Sequence, residues 1–244
     1  MHPVLFSIGF LTVYSFGAMI ALGYLLVGAL LWYDKRCKGE DPTPLYDFSV
    51  GLVLASLLGG RLFYILLYWR DYLQDPLEVF RIYHGGLVFY GGLIGAIVYA
   101  FLYIKKKKLP LWKTLDEAVP YAVLVHAFGR IGCFLNGCCY GKPTRFILGV
   151  VFPDRSVPIH PTQLYESAGL FLIFLALRKW SRKRTPFPGA IFLGYLFSYG
   201  VLRFLVEFFR GDQRGLFWNL TLHQFLSFVL VAVSVFLWSR QKRS

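Results

Sequence analysis

The residues of this 244-residue chain best placed to do chemistry are arginines inside oily segments. Arg61, Arg130 and Arg203 stand in long apolar runs, where an ionisable group costs at least ~2.5–3.5 kcal/mol and usually marks function. Arg61 follows Gly59-Gly60, small residues that let a helix or a lipid headgroup approach closely. Arg203 belongs to Tyr199-Gly-Val-Leu-Arg203-Phe-Leu-Val-Glu207-Phe-Phe-Arg210, whose spacing places Tyr199, Arg203, Glu207 and Arg210 along one helical face. Glu207 is within reach of both arginines, and one carboxylate does not balance two guanidiniums. The surplus positive charge suits an anion.

A second group runs His126-Ala-Phe-Gly-Arg130-Ile-Gly-Cys133-Phe-Leu-Asn136-Gly-Cys138-Cys139-Tyr-Gly141. His126, Arg130, Cys133 and Gly137 share a helical face, and Asn136-Gly137 with Gly141 and Pro143 predicts the end of the helix and a turn. An arginine and an asparagine at a glycine-rich helix end make a site for phosphate or carboxylate, because guanidinium bonds such groups bidentately and backbone N–H groups fill in. A third segment opens His84-Gly-Gly-Leu-Val-Phe-Tyr90-Gly-Gly-Leu-Ile-Gly95, where so many glycines predict close backbone approach. A fourth, His160-Pro161-Thr162-Gln163-Leu-Tyr165-Glu166-Ser167, reads as a helix start with a polar capping network.

The elements that must hold these residues are membrane spans. The chain is 57% hydrophobic, 19% aromatic and 16% charged, with mean hydropathy +0.54. That excludes an ordinary soluble globule, in which apolar usage is about 45–50%. Apolar runs at about 7–33, 48–69, 86–104, 115–135, 163–177, 189–209 and 220–238 predict about seven transmembrane helices, the fifth being the shortest. Continuous runs exclude the alternating segments of an outer-membrane barrel. The expected fold is all-α and polytopic, one transmembrane domain over 1–244. The first run lacks a preceding basic residue and a following cleavage site, so it reads as a retained span.

The net charge of +13 has two components. Sixteen of the 26 basic residues fall in alternate connections: Lys35, Arg36 and Lys38; Lys105 to Lys108 with Lys113; Arg178, Lys179 and Arg182 to Arg184; Arg240, Lys242 and Arg243. Positive loops face the cytoplasm, so the amino terminus is expected outside and the carboxyl terminus inside. Topology and contact with anionic lipid of the bilayer account for these runs without nucleic acid. No glycine-rich phosphate loop or carboxylate cluster implies a metal or nucleotide cofactor.

Taken together, the segments resemble the prolipoprotein diacylglyceryl transferases of the bacterial cytoplasmic (inner) membrane. The similarity runs in order along nearly the whole chain: Tyr14-Ser-Phe-Gly, Gly60-Arg61, the double-glycine stretch from Gly85, Gly129-Arg130-Ile-Gly with Asn136-Gly137, His160-Pro161-Thr-Gln163-Leu-Tyr165-Glu166, and Arg203-Phe-Leu-Val-Glu207-Phe-Phe-Arg210. The resemblance implies transfer of the diacylglyceryl group of phosphatidylglycerol to the lipobox cysteine thiol of a prolipoprotein signal peptide. A thioether forms and glycerol phosphate leaves, at a site toward the outer side. It also implies phosphate contacts for Arg130 and Arg203, with Asn136 and Gly141 around them. Arg210, Glu207, Arg61, Tyr14 and Tyr199 are then a supporting ring.

Two departures from the family pattern bear on catalysis. Tyr90 stands where many members have a histidine proposed to help deprotonate the thiol. A phenol, with an ordinary pKa near ~10, is a poor base. His84 is chemically better suited but lies six residues earlier, and deprotonation by water in the positive field needs neither. Rates of Tyr90→Phe and His84→Ala measured against pH separate these readings. The other departure is Cys133, where many relatives have asparagine, together with Cys138 and Cys139. Their spacing matches no standard zinc pattern. A membrane thiol oxidoreductase using these cysteines, or an anion or lipid transporter using the buried arginines, are the alternative functions; structural packing or a disulfide is the simplest role for the thiols.

Overall fold

A computed structural model describes residues 2–8, 11–74, 86–153, 155–183, 185–211, 216–217 and 220–242. Eight helices carry these residues: α1 Ser15–Cys37, α2 Thr43–Leu67, α3 Trp69–Gln74, α4 Phe89–Lys106, α5 Leu111–Leu135, α6 Thr162–Ser181, α7 Ala190–Glu207 and α8 Leu222–Gln241. Two short antiparallel pairs accompany them, β1 Val4–Ile8 with β2 Leu11–Tyr14, and β3 Leu216–Phe217 with β4 Leu220–Thr221. Among the described residues, α1, α2, α4, α5, α7 and α8 are long and apolar enough to cross a membrane. The protein is a multi-pass helical membrane protein. Large apolar side chains such as Leu25, Leu172 and Phe101 accordingly point outward.

Two expectations change. The first apolar run begins as a hairpin, and its helix starts only at Ser15. Val4, Phe6, Val13 and Tyr14 are β-branched or aromatic types that suit a strand, and Ser15 ends the pairing by bonding back to the chain start, its N–H to the Pro3 carbonyl at 2.9 Å and its hydroxyl to the His2 carbonyl. The fifth run forms α6, whose 20 residues match the six candidate spans in length but not in apolarity. It carries buried Thr162, Gln163, Glu166 and Ser167 at one end and Arg178 and Lys179 at the other.

The helices divide into two compact units, 34–114 and the remainder. In the 34–114 unit, α2 and α4 pack backbone to backbone through the glycines the sequence singled out. A Cβ added at Gly95 would meet the Ala55 carbonyl oxygen at 2.3 Å, and one at Gly59 the Gly91 carbonyl oxygen at 2.4 Å. Tyr99 and Tyr103 then donate to the Asp47 and Pro44 carbonyls at 3.3 and 3.0 Å. Gly95→Val is therefore expected to cost about 1–3 kcal/mol by overpacking against backbone that cannot swing aside. It should lower the thermal midpoint of the detergent-solubilised protein, and an unchanged midpoint would contradict this packing.

In the other unit, α5, α6 and α7 surround a core of Val123, Leu124, Ala127, Leu170, Phe174 and Ile191, joined by Val27 of α1. Gly132 brings α5 against the Phe16 backbone of α1, and Gly169 brings α6 against Leu202 of α7. Asp116 of α5 accepts bonds from the N–H groups of Gly189 at 2.6 Å and Phe192 at 2.9 Å, so a carboxylate satisfies the positive start of α7. Gly189 itself has φ 98°, a conformation that favours glycine. Thr221 and Gln224 cap α8 reciprocally. These joints set the register in which the polar residues of α5, α6 and α7 meet.

Candidate functional site

The buried polar centre forms where one face each of α5, α6 and α7 converge, and Glu166 of α6 is its hub. Glu166 is fully buried. Its Oε1 accepts from Arg130 Nη2 at 2.9 Å and from the Tyr199 hydroxyl at 3.3 Å, while its Oε2 lies 3.5 Å from Arg203 Nη1. His126 Nε2 stands 4.0 Å from Oε1, and the His126 ring meets Tyr199 edge-on. Arg203 reaches a second carboxylate through Nη2, 2.9 Å from Glu207 Oε2. Glu207 also accepts the Thr221 hydroxyl at 2.9 Å, tying the end of α7 to the start of α8. One residue after Glu166, the Ser167 hydroxyl donates to the Ala127 carbonyl of α5 at 2.9 Å, fixing how far α6 slides along α5.

The loop from α5 to α6 packs against the start of α6 and the chain just after α7. α5 stops at Leu135, and Gly137 at φ 74° reverses the chain, as the Asn-Gly pair predicts. Gly141 then pairs with Arg210 and donates to the His160 carbonyl at 2.8 Å. A Cβ at Gly141 would meet the Phe209 carbonyl oxygen at 2.5 Å, so only glycine lets these backbones touch. The expected capping network at the start of α6 is not what these residues make. Pro161 supplies no side-chain cap; the Thr162 hydroxyl instead bonds the Cys139 carbonyl at 2.9 Å, and Gln163 Nε2 bonds the Cys138 carbonyl at 2.6 Å. The side chains of α6 serve the neighbouring loop because it is close enough to need them.

The sequence-predicted residues divide into those brought together and those that are not. Arg130, Tyr199, Arg203 and Glu207 share the centre, and Arg210 lies at its edge beyond the end of α7, in a bridge and not on the helical face. Asn136 is exposed, next to the Cys138 thiol. Tyr14 ends β2 half exposed, and among the described residues no contact joins it to Glu166. Arg61 and Tyr90 belong to the 34–114 unit. There Arg61 is buried beside the rings of Tyr64 and Tyr72 with Nη1 3.4 Å from the Gly86 carbonyl, whereas Tyr90, in the first turn of α4, is half exposed. His84 lies outside the described residues.

Glu166 corrects the charge balance expected from sequence. Among the described residues, Arg130 and Arg203 pair with two carboxylates, Glu166 and Glu207, and Arg210 at the edge brings the count to three guanidiniums against two carboxylates, a surplus of one positive charge. The signal was present: Glu166 is the sole acid of α6, and the cost of an ion inside a span applies to carboxylates as much as to arginines. His126, one turn before Arg130, was equally visible. Arg130 keeps a donor in reserve, since its Nε is buried and has no partner among the described residues. A buried donor beside surplus positive charge suits an anion.

All four cysteines carry free thiols in this structure. Hydrogen bonds from Cys133 and Cys138, with help from the Arg210 guanidinium, draw the Cys139 thiol below its ordinary pKa against the opposing effect of burial.

The family model for "Prolipoprotein diacylglyceryl transferase" matches residues 3–240. The chain belongs to that family. A phosphatidylglycerol--prolipoprotein diacylglyceryl transferase of Clostridium tetani is 39% identical over 246 residues, covering 98% of this chain and 97% of the relative. One from Bordetella bronchiseptica is 38% identical over 224 residues, covering 88% and 85%. A third, numbered 2 in Clostridium perfringens, is 34% identical over 247 residues, covering 99% and 96%. Among the three functions the residues left open, membership supports the first: the chain is a transferase of lipoprotein maturation.

Proposed function

We propose that Arg130 and Arg203, crosslinked by Glu166, bind the phosphate of phosphatidylglycerol and stabilise the charge that grows on it as the lipobox thiolate of a prolipoprotein attacks the glyceryl carbon. The new C–S bond forms as the C–O bond to phosphate breaks. Glycerol phosphate leaves with the electron pair, and the thiol proton has gone to a base. The observation that carries this reading is the unused Nε donor of Arg130 within a buried centre of surplus positive charge. Guanidiniums held in place by carboxylates in a low-dielectric site pay no reorganisation as the charge develops.

Supporting roles follow. Arg210 and Gly141 form the rim, Asn136 lies on the neighbouring turn, and Glu207 and Tyr199 hold Arg203 and Glu166 in position. Tyr14 and Arg61 are proposed to contact substrate beyond this centre. Tyr90 and His84 are two candidate bases, and His126 beside Glu166 adds a third.

The chain is proposed to act as one domain in the bacterial cytoplasmic membrane, with α6 as a seventh span and the amino terminus outside. Support comes from the bundle's polarity. The end that carries Thr162, Glu207 and Thr221 is opposite the ends with Arg178, Lys179 and Arg240. With the basic ends toward the cytoplasm, the site is proposed to face outward. The purified protein, given phosphatidylglycerol and a lipobox peptide in detergent, should yield diacylglyceryl-peptide and glycerol phosphate in equal amounts without any gradient. Glycerol phosphate released without lipidated peptide would overturn this assignment of the acceptor.

A further inference from the structure

We propose that Cys133, Cys138 and Cys139 form a three-thiolate site for a thiophilic d10 cation, Zn2+ or Cu+. Their three sulfur atoms all lie within 4.8 Å of one another, and each residue is partly buried. The grouping is invisible in linear spacing because the chain reverses between them. Cys133 occupies the last turn of α5, Gly137 turns the backbone at φ 74°, and Cys139 takes φ 66°, a left-handed conformation that non-glycine residues rarely adopt.

That conformation is held from outside the loop. Thr162 and Gln163, both fully buried, pin the Cys139 and Cys138 carbonyls, and the Cys138 N–H bonds the Cys133 carbonyl at 3.2 Å. An unfavoured backbone fixed by two buried side chains is what a preorganised ligand set requires. A disulfide would use two sulfurs and strand the third; a metal ion uses all three. Thiolate donors select Zn2+ or Cu+ over harder ions; three of them complete a trigonal Cu+ site or leave Zn2+ one tetrahedral position for a further ligand. Binding displaces the thiol protons. The negative charge that remains on a three-thiolate complex of either ion is offset by Arg210, which bonds the Cys139 sulfur, and by Arg130 beside Cys133.

The test uses the full chain, reduced, freed of metal and kept in detergent. Cd2+ serves as the optical probe, and Zn2+ and Cu+ are loaded separately and counted by elemental mass spectrometry. One ion per chain is expected, with a thiolate-to-Cd2+ charge-transfer band lost in Cys133→Ser, Cys138→Ser and Cys139→Ser and retained in Cys37→Ser, whose thiol is exposed and is not one of the three. Whichever of Zn2+ and Cu+ binds more tightly is the ion the site selects. Maleimide labelling of the unaltered chain removes dependence on the variants folding: loading should protect three thiols and leave Cys37 reactive. Failure to bind an ion, labelling indifferent to metal, or a disulfide that consumes two of the three thiols in the freshly isolated protein would each overturn the proposal. None of these readouts depends on transferase activity.

Discussion

Replacing Arg203 by alanine is expected to slow diacylglyceryl transfer by about 10²- to 10³-fold, the loss typical of removing one preorganised donor to a developing oxyanion. Arg203 stands between Glu166 and Glu207 at 3.5 and 2.9 Å. Without it both carboxylates face the phosphate with Arg130 and Arg210 alone, and the surplus of one positive charge vanishes. The net attraction is then lost where the leaving group must gather negative charge. Arg203→Lys should fall between, because an ammonium restores the charge but cannot engage two carboxylates through a planar fork. Initial rates with phosphatidylglycerol and a lipobox peptide check this, alongside a thermal midpoint to confirm folding. An Arg203→Ala enzyme as fast as the unaltered one would refute the phosphate clamp.

Glu166→Gln should act through a different quantity. Glu166 pairs with two guanidiniums from two other helices inside a fully buried centre, and removing one partner of such a group typically costs about 3–5 kcal/mol. The neutral amide keeps the shape of the side chain and leaves Arg130 and Arg203 to repel each other. The expected result is a clearly lowered thermal midpoint with reduced transfer, while affinity for the anionic lipid is kept or increased because the positive surplus grows. Arg203→Ala should do the reverse and lose lipid affinity. A Glu166→Gln protein with an unaltered midpoint would show that the two arginines do not depend on Glu166.

Much of this was legible in the sequence, for physical reasons that also explain the rest. Span positions follow from the length and apolarity a bilayer demands, so α2, α4, α5, α6, α7 and α8 fall close to where the apolar runs place them, while the short α3 was not among those runs. The segment before Ser15 is equally apolar, and hydropathy alone does not distinguish a strand from a helix there. Arg130 and Arg203 stood out because an ion in a span needs a reason. Their partner Glu166 was obscured by its place in a motif that looked like a helix cap. What Thr162 and Gln163 bond is decided by which loop lies beside them, and that is a tertiary fact. The cysteines make the same point, since a left-handed residue at Cys139 brings together sulfurs whose spacing carries no pattern.

The central claim is that Arg130 and Arg203 together hold a lipid phosphate. Equilibrium binding of phosphatidylglycerol to the purified protein in detergent, compared among the unaltered chain, Arg130→Ala and Arg203→Ala, tests it most directly. Each substitution removes a charge-assisted bond worth about 1.5–3 kcal/mol, so each is expected to weaken binding at least tenfold in a protein that remains folded. Undiminished lipid affinity in both folded variants would contradict the account.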